Sequence, residues 1–387
     1  MSHPNIVDEF PEVTIADLRL RRSAKWTYYA DDVLPAWVAE MDFPLADPVK
    51  QALMNAINLS DTGYANPDAT NLASSYAAFA KRHMDWDVDP EQVTGTMDVV
   101  DGIVALLGQL TKPGDGVIIT PPVYHPFFSV IEEAGCRIVE APMAGGRTLD
   151  IDAIEAGFKG GSRLLILCSP HNPAGTVPKR EELEQIADLA ARYDAWVISD
   201  EIHAPLTLPG ATHVPFLSIS ENARQHGICL ASASKTFNLA GLGCALFVTA
   251  SQPGRDVIDN LHFGDKHPGH LGVLASEAAF TFGDEWMAKV IRQLDFNRSY
   301  LGELLSEHLP EVGYVPPEAG YLTWLDFRVL DLGDDPSEKL REDARVALSP
   351  GPDFGTQGHG FARLNIGTRP MFIEAAVTAI ADSAHCG

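Results

Sequence analysis

Residues 164–203 read LLILCSPHNPAGTVPKREELEQIADLAARYDAWVISDEIH, and this stretch decides the fold class. Leu164 to Cys168 is an apolar run typical of a buried strand, and Ala195 to Ser199 is a second one. Between them, Lys179 to Tyr193 has an apolar face and two glutamates in its first turn, which predicts an amphipathic helix. Strand, helix and strand in series imply right-handed crossovers and a mostly parallel sheet covered on both faces.

Similar apolar runs extend this pattern from about residue 90 to residue 250. We therefore expect an α/β fold built on a large, mostly parallel sheet. The additional strand candidates are Gly116–Thr120, Arg137–Ala141 and Ala245–Val248.

The C-terminal third has a different pattern, which predicts a second, smaller α+β domain completed by the N-terminal segment. We expect a large domain over residues 44–284 and a small domain formed by residues 1–43 plus 285–387. Residues 331–337, rich in Asp with Gly and Pro, predict an exposed loop. The small domain's predicted elements are a helix over Trp286–Leu309, strands over Gly320–Phe327 and Phe361–Gly367, and a helix over Met371–Ser383.

Composition excludes several classes of function. The 387 residues carry a formal net charge of −25, whereas nucleic-acid and anionic-membrane surfaces need clustered Lys and Arg. No apolar stretch approaches the ~20 residues that span a bilayer, and the N-terminus lacks a signal-peptide pattern, so we expect a cytoplasmic protein. The cysteines are odd in number and show no CxxC spacing, which favours reduced core thiols over disulfides or a metal site. They are Cys136, Cys168, Cys229, Cys244 and Cys386.

Polar residues follow two of the predicted strands at the edge where parallel sheets bind ligands. Asn172 follows the strand ending near Cys168, and Asp200 and His203 follow the strand ending near Ser199. The later run ASASKTFN, residues 231–238, places Lys235 among hydroxyls just before a Gly-rich turn. Together these segments supply what a pyridoxal-phosphate enzyme needs: a Schiff-base lysine, an acid for the pyridinium nitrogen and a donor to the ring oxygen. Taken singly, a lysine is usually a solvated surface residue and Asn-Pro is usually a turn.

With these segments in place, the sequence resembles the fold-type-I pyridoxal-phosphate enzymes, the aspartate-aminotransferase superfamily. Within that superfamily it is most similar to the MalY/PatB group of carbon–sulfur β-lyases, often called cystathionine β-lyases. The resemblance covers nearly the whole chain. The runs that carry it are AWVAEMDF at 36–43, PVYHPFF at 122–128, DEIH at 200–203 and SKTFN at 234–238.

The resemblance implies roles for the residues around the cofactor ring. Lys235 would form the Schiff base and later carry the substrate α-proton. Asp200 would pair with the pyridine nitrogen, because an opposite charge nearby favours the protonated ring. Asn172 would donate to the ring oxygen, and Tyr124 would stack on the ring, with core packing as its alternative. His203 would also contact the cofactor.

The resemblance also implies a phosphate site, a substrate site and a dimer. Ser232, Ser234, Val99 and Val100 would bind the phosphate, although both serine hydroxyls could instead cap a turn. Tyr64 would reach the phosphate of the neighbouring subunit of a homodimer with shared active sites. Arg363 would hold the carboxylate of an amino-acid substrate, since a guanidinium fork suits that task. Arg369 is a second candidate, about even with a surface ion pair, and Trp37 and Glu40 complete the expected substrate-binding set.

Three positions depart from the aspartate-aminotransferase pattern. His203 stands where a tyrosine is common, as in the lyase group. Gly243 stands where a phosphate-binding arginine is common, so less phosphate charge would be offset. Asp98 stands in the expected phosphate loop where relatives more often have glycine, and we expect its carboxylate to point away from the phosphate.

The resemblance favours β-elimination from a cysteine S-conjugate such as cystathionine, giving a thiol, pyruvate and ammonia. An aminotransferase that uses the same cofactor is the nearest alternative, because both reactions pass through the same carbanion. A catalytically idle regulator that binds a transcription factor is a third possibility, and intact Lys235, Asp200 and Arg363 argue against an idle site. No residue decides between the first two outcomes.

Overall fold

A sheet of seven strands forms the centre of the computed structural model, which describes residues 8–385. Six strands run in one direction, and only Ala245–Val248 is antiparallel to both of its neighbours. The predicted mostly parallel sheet is therefore confirmed. From edge to edge the strands are Val93–Thr96, Ala245–Val248, Gly227–Ala231, Trp196–Asp200, Leu164–Cys168, Gly116–Ile119 and Arg137–Glu140.

Alternate residues of the central strands pack into two separate apolar cores, one on each face of the sheet. In the strand Leu164–Cys168, Leu165 and Leu167 belong to one core, and Leu164 and Ile166 belong to the other. Burial on both faces explains why these strands appear as continuous apolar runs in the sequence. The covering helices are Asp47–Asn58, Leu72–Met84, Val99–Leu110, Pro126–Glu133, Ile151–Lys159, Arg180–Tyr193, Glu221–His226, Gln252–Asp259 and His270–Phe282.

The C-terminal third of the described chain contains a second sheet, which is antiparallel and four-stranded. Its own apolar core also includes Phe10, Met41 and Phe43 from the N-terminal segment. The strand pair Leu34–Pro35 with Val346–Ala347 attaches that segment. The sheet order is Ser349–Pro350, Phe361–Asn365, Leu322–Asp326 and Gly313–Tyr314, and the helices are Ile15–Leu18, Ala24–Thr27, Asp284–His308, Pro336–Asp343 and Pro370–His385.

These cores support the division into domains over residues 44–284 and 1–43 plus 285–387, which we retain as a proposal. Residues 1–7 and 386–387 lie outside the described residues, and Cys386 with them. The other cysteines, at 136, 168, 229 and 244, are buried with free thiols. The predicted loop at 331–337 is shorter than expected, because Asp335 caps a helix that begins at Pro336. Within residues 8–385, no helix is long and apolar enough to cross a membrane.

Candidate active site

A cavity opens at the carboxyl edge of the large sheet, beyond the strands that end at Cys168 and Asp200. Its empty space, counted out to the open mouth, is about 740 Å³. Eight of the residues predicted for the site line it: Val99, Val100, Tyr124, Asn172, Asp200, His203, Ser234 and Lys235.

Lys235 lies in the loop that follows the strand Gly227–Ala231. Its amine donates to the carbonyl oxygen of Ala39, from the N-terminal segment, at 3.3 Å. Burial and, secondly, the nearby Arg363 guanidinium lower the pKa of this amine below its usual range. A lowered pKa makes the unprotonated, nucleophilic amine more available at neutral pH.

Asp200 ends its strand with a buried carboxylate, which accepts a hydrogen bond from the Ile202 amide at 3.1 Å. Burial raises the pKa of this carboxyl to about 7, although the Ile202 hydrogen bond and the Lys235 charge both oppose the shift. A buried carboxylate is costly without a cationic partner. The cavity therefore offers Asp200 as an acceptor for a positively charged group of a ligand.

His203 and Tyr124 form neutral walls of the cavity. Burial, helped by the charges of Lys235 and Arg363, lowers the pKa of His203 to about 3, so its imidazole is uncharged at physiological pH. Its Nδ1 atom is buried and has no hydrogen-bond partner among the described residues. Burial raises the pKa of Tyr124 to about 12, which keeps the phenol protonated.

Arg363 is fixed from three sides. One terminal nitrogen donates to Asn172 Oδ1 at 3.0 Å, and the other donates to the Trp37 carbonyl at 3.1 Å and to Ser349 Oγ at 3.0 Å. Its guanidinium also lies 4.9 Å from the centre of the Phe354 ring. Because Arg363 takes the amide oxygen of Asn172, the NH₂ group of Asn172 remains available to donate to a ligand. Arg363 Nε is buried without a partner among the described groups.

One end of the cavity combines a helix N-terminus with a carboxylate. The helix Val99–Leu110 begins there, and a helix N-terminus favours anions. Asp98 lines the cavity as well, but its carboxylate caps this helix by accepting from the Asp101 amide at 2.8 Å. Gly243 has a φ of +66°, and a Cβ there would lie 2.5 Å from Met97 Sδ. An arginine therefore does not fit at position 243 without displacement of Met97.

Trp37 and Glu40 adjoin the cavity through the N-terminal segment. The Trp37 carbonyl contacts Arg363, while its ring packs against Tyr28 and Tyr29. Glu40 is half-buried and directly follows Ala39, which lines the cavity.

Besides Arg363, Trp37 and Glu40, which adjoin the cavity, three more predicted residues do not line it. The hydroxyl of Ser232 donates to the Cys244 carbonyl at 2.7 Å and accepts from the Ser234 amide, which matches the turn-capping alternative. Tyr64 is 92% exposed and lines a surface groove instead. The guanidinium of Arg369 pairs with Asp8 at 2.7 Å and donates to the Val13 carbonyl, which supports the ion-pair alternative that the sequence left open.

Sequence reasoning missed several residues that build the site. Tyr321 donates to the Ala39 carbonyl at 3.0 Å, and Ser349 holds Arg363. Asn238 bonds both backbone groups of Met41. Asn238 lies in the run SKTFN and Ile202 lies in the run DEIH. Their position within these runs is the only sequence feature that points to them. Nothing in the sequence marks Ser349.

The sequence profile of the family described as aminotransferase class I and II matches residues 34–380. The cystathionine beta-lyase of Corynebacterium glutamicum is 36% identical, and the match covers 96% of this chain and 99% of that protein. Cystathionine beta-lyase PatB of Bacillus subtilis is 34% identical, with 89% and 92% covered. The crystal structure of cystalysin from Treponema denticola, which contains pyridoxal 5′-phosphate, has a TM-score of 0.90 at 28% identity and covers 98% of this chain and 99% of that one. The chain belongs to the class I and II aminotransferase family, with the fold of the type-I pyridoxal-phosphate enzymes.

The cofactor of this family, pyridoxal phosphate, fits the donor set of the cavity. An amine, a buried carboxylate and a free amide NH₂ surround one space, and the Asp200 carboxyl has no cationic hydrogen-bond partner among the described residues. Lys235 would hold the aldehyde carbon, Asp200 the pyridine nitrogen and Asn172 the ring oxygen. These are the three groups that the chemistry requires.

Proposed function

We propose that the chain cleaves the carbon–sulfur bond of cysteine S-conjugates such as cystathionine by β-elimination. One substrate molecule and one water give a thiol, pyruvate and ammonia. The observation that supports the proposal is that Lys235, Asp200 and Asn172 line one cavity, with Arg363 hydrogen-bonded to Asn172. The names of the relatives from Corynebacterium and Bacillus support a lyase rather than an aminotransferase.

Each residue would contribute a separate part of the reaction. Arg363 would hold the substrate carboxylate with its planar fork, and Lys235 would take the proton from the adjacent carbon. Asp200 would keep a positive charge on the ring nitrogen. Bound pyridoxal phosphate supplies the electron sink for the carbon that loses its proton. The thiolate would then leave from the β-carbon, and water would release pyruvate and ammonia.

The proposal includes a homodimer with shared sites. Tyr64 is almost fully exposed, and Phe263 is 72% exposed. Both side chains line the same surface groove. We assign Tyr64 to the phosphate end of the partner subunit's cavity, where the chain's own Gly243 provides no cation.

One assay separates elimination from transamination. The purified holoenzyme is incubated with cystathionine, and separately with amino acids plus 2-oxoglutarate, while pyruvate, thiol and glutamate are measured. We expect pyruvate and thiol in equal amounts from cystathionine, and little glutamate. Rapid glutamate formation with no pyruvate would replace the proposal with an aminotransferase. The Lys235→Ala variant is the control and should form neither product.

A further inference from the structure

The N-terminal segment from Ala36 to Asp42, here called the strap, is bonded along its whole length. Each of its seven carbonyl oxygens accepts a hydrogen bond. Asn365 donates to three of them: its backbone amide to Ala36 and its side-chain amide to Val38 and Glu40. The other donors are Ser349 and Arg363 to Trp37, the Glu40 amide to Val38, Lys235 and Tyr321 to Ala39, Lys25 to Glu40, Asn238 and Arg21 to Met41, and Arg21 to Asp42.

The strap connects the two cations of the proposed reaction. The Trp37 carbonyl accepts from Arg363 at 3.1 Å, and the Ala39 carbonyl accepts from Lys235 at 3.3 Å. Arg363 belongs to the small sheet, whereas Lys235 follows a strand of the large sheet. The position of the Lys235 amine therefore depends on where the strap holds the Ala39 carbonyl.

A buried ion pair fixes the C-terminal end of the strap. Asp42 pairs with the Lys25 ammonium at 2.8 Å, and both side chains are at most 4% exposed. Trp26 Nε1 donates to the second carboxylate oxygen at 3.1 Å, and Lys25 also donates to the Glu40 carbonyl. Buried ion pairs of this kind add little net stability compared with packed apolar side chains, and their best-attested use is to fix position.

Asn238 binds the strap from the side of Lys235. Its side-chain amide accepts from the Met41 N–H and donates to the Met41 carbonyl, both at 2.8 Å. Asn238 adopts a φ of +58°, a left-handed conformation that few residues other than glycine and asparagine tolerate. This paired contact links the lysine-bearing loop directly to the strap.

We propose that Asp42 and Asn238 are positioning residues, which hold the Lys235 amine in place for proton transfer through the strap. The proposal rests on the proposed role of Lys235 as the proton carrier, but not on elimination as the outcome. Proton transfer is sensitive to placement, because a misplacement of about 1 Å can reduce a rate by about 100-fold.

The first test asks whether these residues hold the strap in cofactor-free protein. Amide hydrogen exchange is measured for Asp42→Asn, Asn238→Gly and the unchanged chain. Glycine retains the backbone conformation at position 238 and removes only the amide side chain. We expect faster exchange in both variants at Glu40, Met41 and Asp42, whose amides donate to Val38, Asn238 and Gly367, with the buried strand Leu164–Cys168 unchanged. Unchanged exchange in the strap would overturn the proposal.

The second test measures proton transfer without elimination. The holoenzyme exchanges the α-proton of L-alanine with D₂O, and NMR follows the exchange per cofactor-loaded site. We expect kcat to fall by about 10- to 100-fold in both variants, with KM within about threefold. A merely structural role would reduce the number of loaded sites and leave kcat per site unchanged, which would also overturn the proposal.

A control variant and a second test variant keep the outcome unambiguous. Arg345→Gln breaks the exposed ion pair between Arg345 and Asp32, four residues before the strap, and should change neither measurement. If Asp42→Asn does not fold, Asn238→Gly decides alone. Failure of the unchanged holoenzyme to exchange the proton would instead contradict the role of Lys235, and with it the proposed function.

Discussion

The buried environment of Asp200 disfavours its charged carboxylate in the cofactor-free protein and favours the binding of a positively charged ligand group beside it. Burial raises the pKa of its carboxyl from 3.8 to about 7. Between these two pH values the folded protein binds more protons at this group than the unfolded chain does. This group therefore makes the cofactor-free protein less stable as pH rises from about 4 to 7, by an amount on the order of 4 kcal/mol.

We expect Asp200→Asn to stabilise the cofactor-free protein at pH 8 but not at pH 4, because asparagine carries no charge to bury. Urea denaturation at both pH values measures the effect. Asp152→Asn, on the exposed surface, is the control variant. The same Asp200→Asn variant should lose turnover with cofactor bound. A variant that is less stable than the unchanged chain at pH 8 would contradict this account of Asp200.

Arg363→Lys tests the substrate-binding assignment. Lysine keeps one charge but cannot bond Asn172, Trp37 and Ser349 with the geometry of the planar fork. Loss of one charged hydrogen bond corresponds to about 1.5–3 kcal/mol, so kcat/KM for amino acids should fall about 10- to 100-fold. The variant should still bind the cofactor and show its visible absorbance. A changed spectrum with unchanged kinetics would place Arg363 elsewhere.

Individual residues differ in how well the sequence predicts them. Lys235, Asp200 and Asn172 stand at strand ends in recognisable runs, so their convergence follows from the topology of a parallel sheet. Ser349 reaches Arg363 only because it lies opposite it across an antiparallel strand pair, and register of that kind is not visible in a single sequence. Arg369 is also an arginine, but its guanidinium forms an ion pair with Asp8. The sequence alone does not show that Asp8 and Arg369 are in contact.

At the scale of elements, the helix Val99–Leu110 combines an anion-binding N-terminus with a carboxylate cap. Asp98→Asn removes the charge and keeps a capping side chain of equal quality. We expect about threefold to tenfold tighter binding of pyridoxal phosphate to cofactor-free protein, since a negative charge near the phosphate would be removed. Unphosphorylated pyridoxal is the control ligand and should bind both proteins equally. Equilibrium titration measures both affinities, and weaker phosphate-ester binding by the variant would contradict this prediction.

The strands also differ in how clearly the sequence marks them. Four of the five predicted strands of the large sheet were apolar runs buried on both faces, and these are confirmed within one residue at each end. The edge strand Val93–Thr96 reads VTGT and lacks such a run. The reversed direction of Ala245–Val248 depends on its pairing with Val93–Thr96 and Gly227–Ala231, and composition does not encode it.

At the scale of the whole molecule, the exposed position of Tyr64 predicts complementation between subunits. Lys235→Ala and Tyr64→Ala should each be inactive as homodimers. Mixed heterodimers would contain one intact site, built from Lys235 of one subunit and Tyr64 of the other, so activity should return. Heterodimers that form without recovering activity would show that Tyr64 does not serve the partner subunit.

The most direct measurement of the central claim is to locate the cofactor on the chain. The holoenzyme is reduced with borohydride, digested and analysed by mass spectrometry to find which lysine carries the pyridoxyl group. The account predicts the peptide containing Lys235, one group per chain, and loss of that label together with visible absorbance in Lys235→Ala. A label on any other lysine, or one that persists in Lys235→Ala, would contradict it.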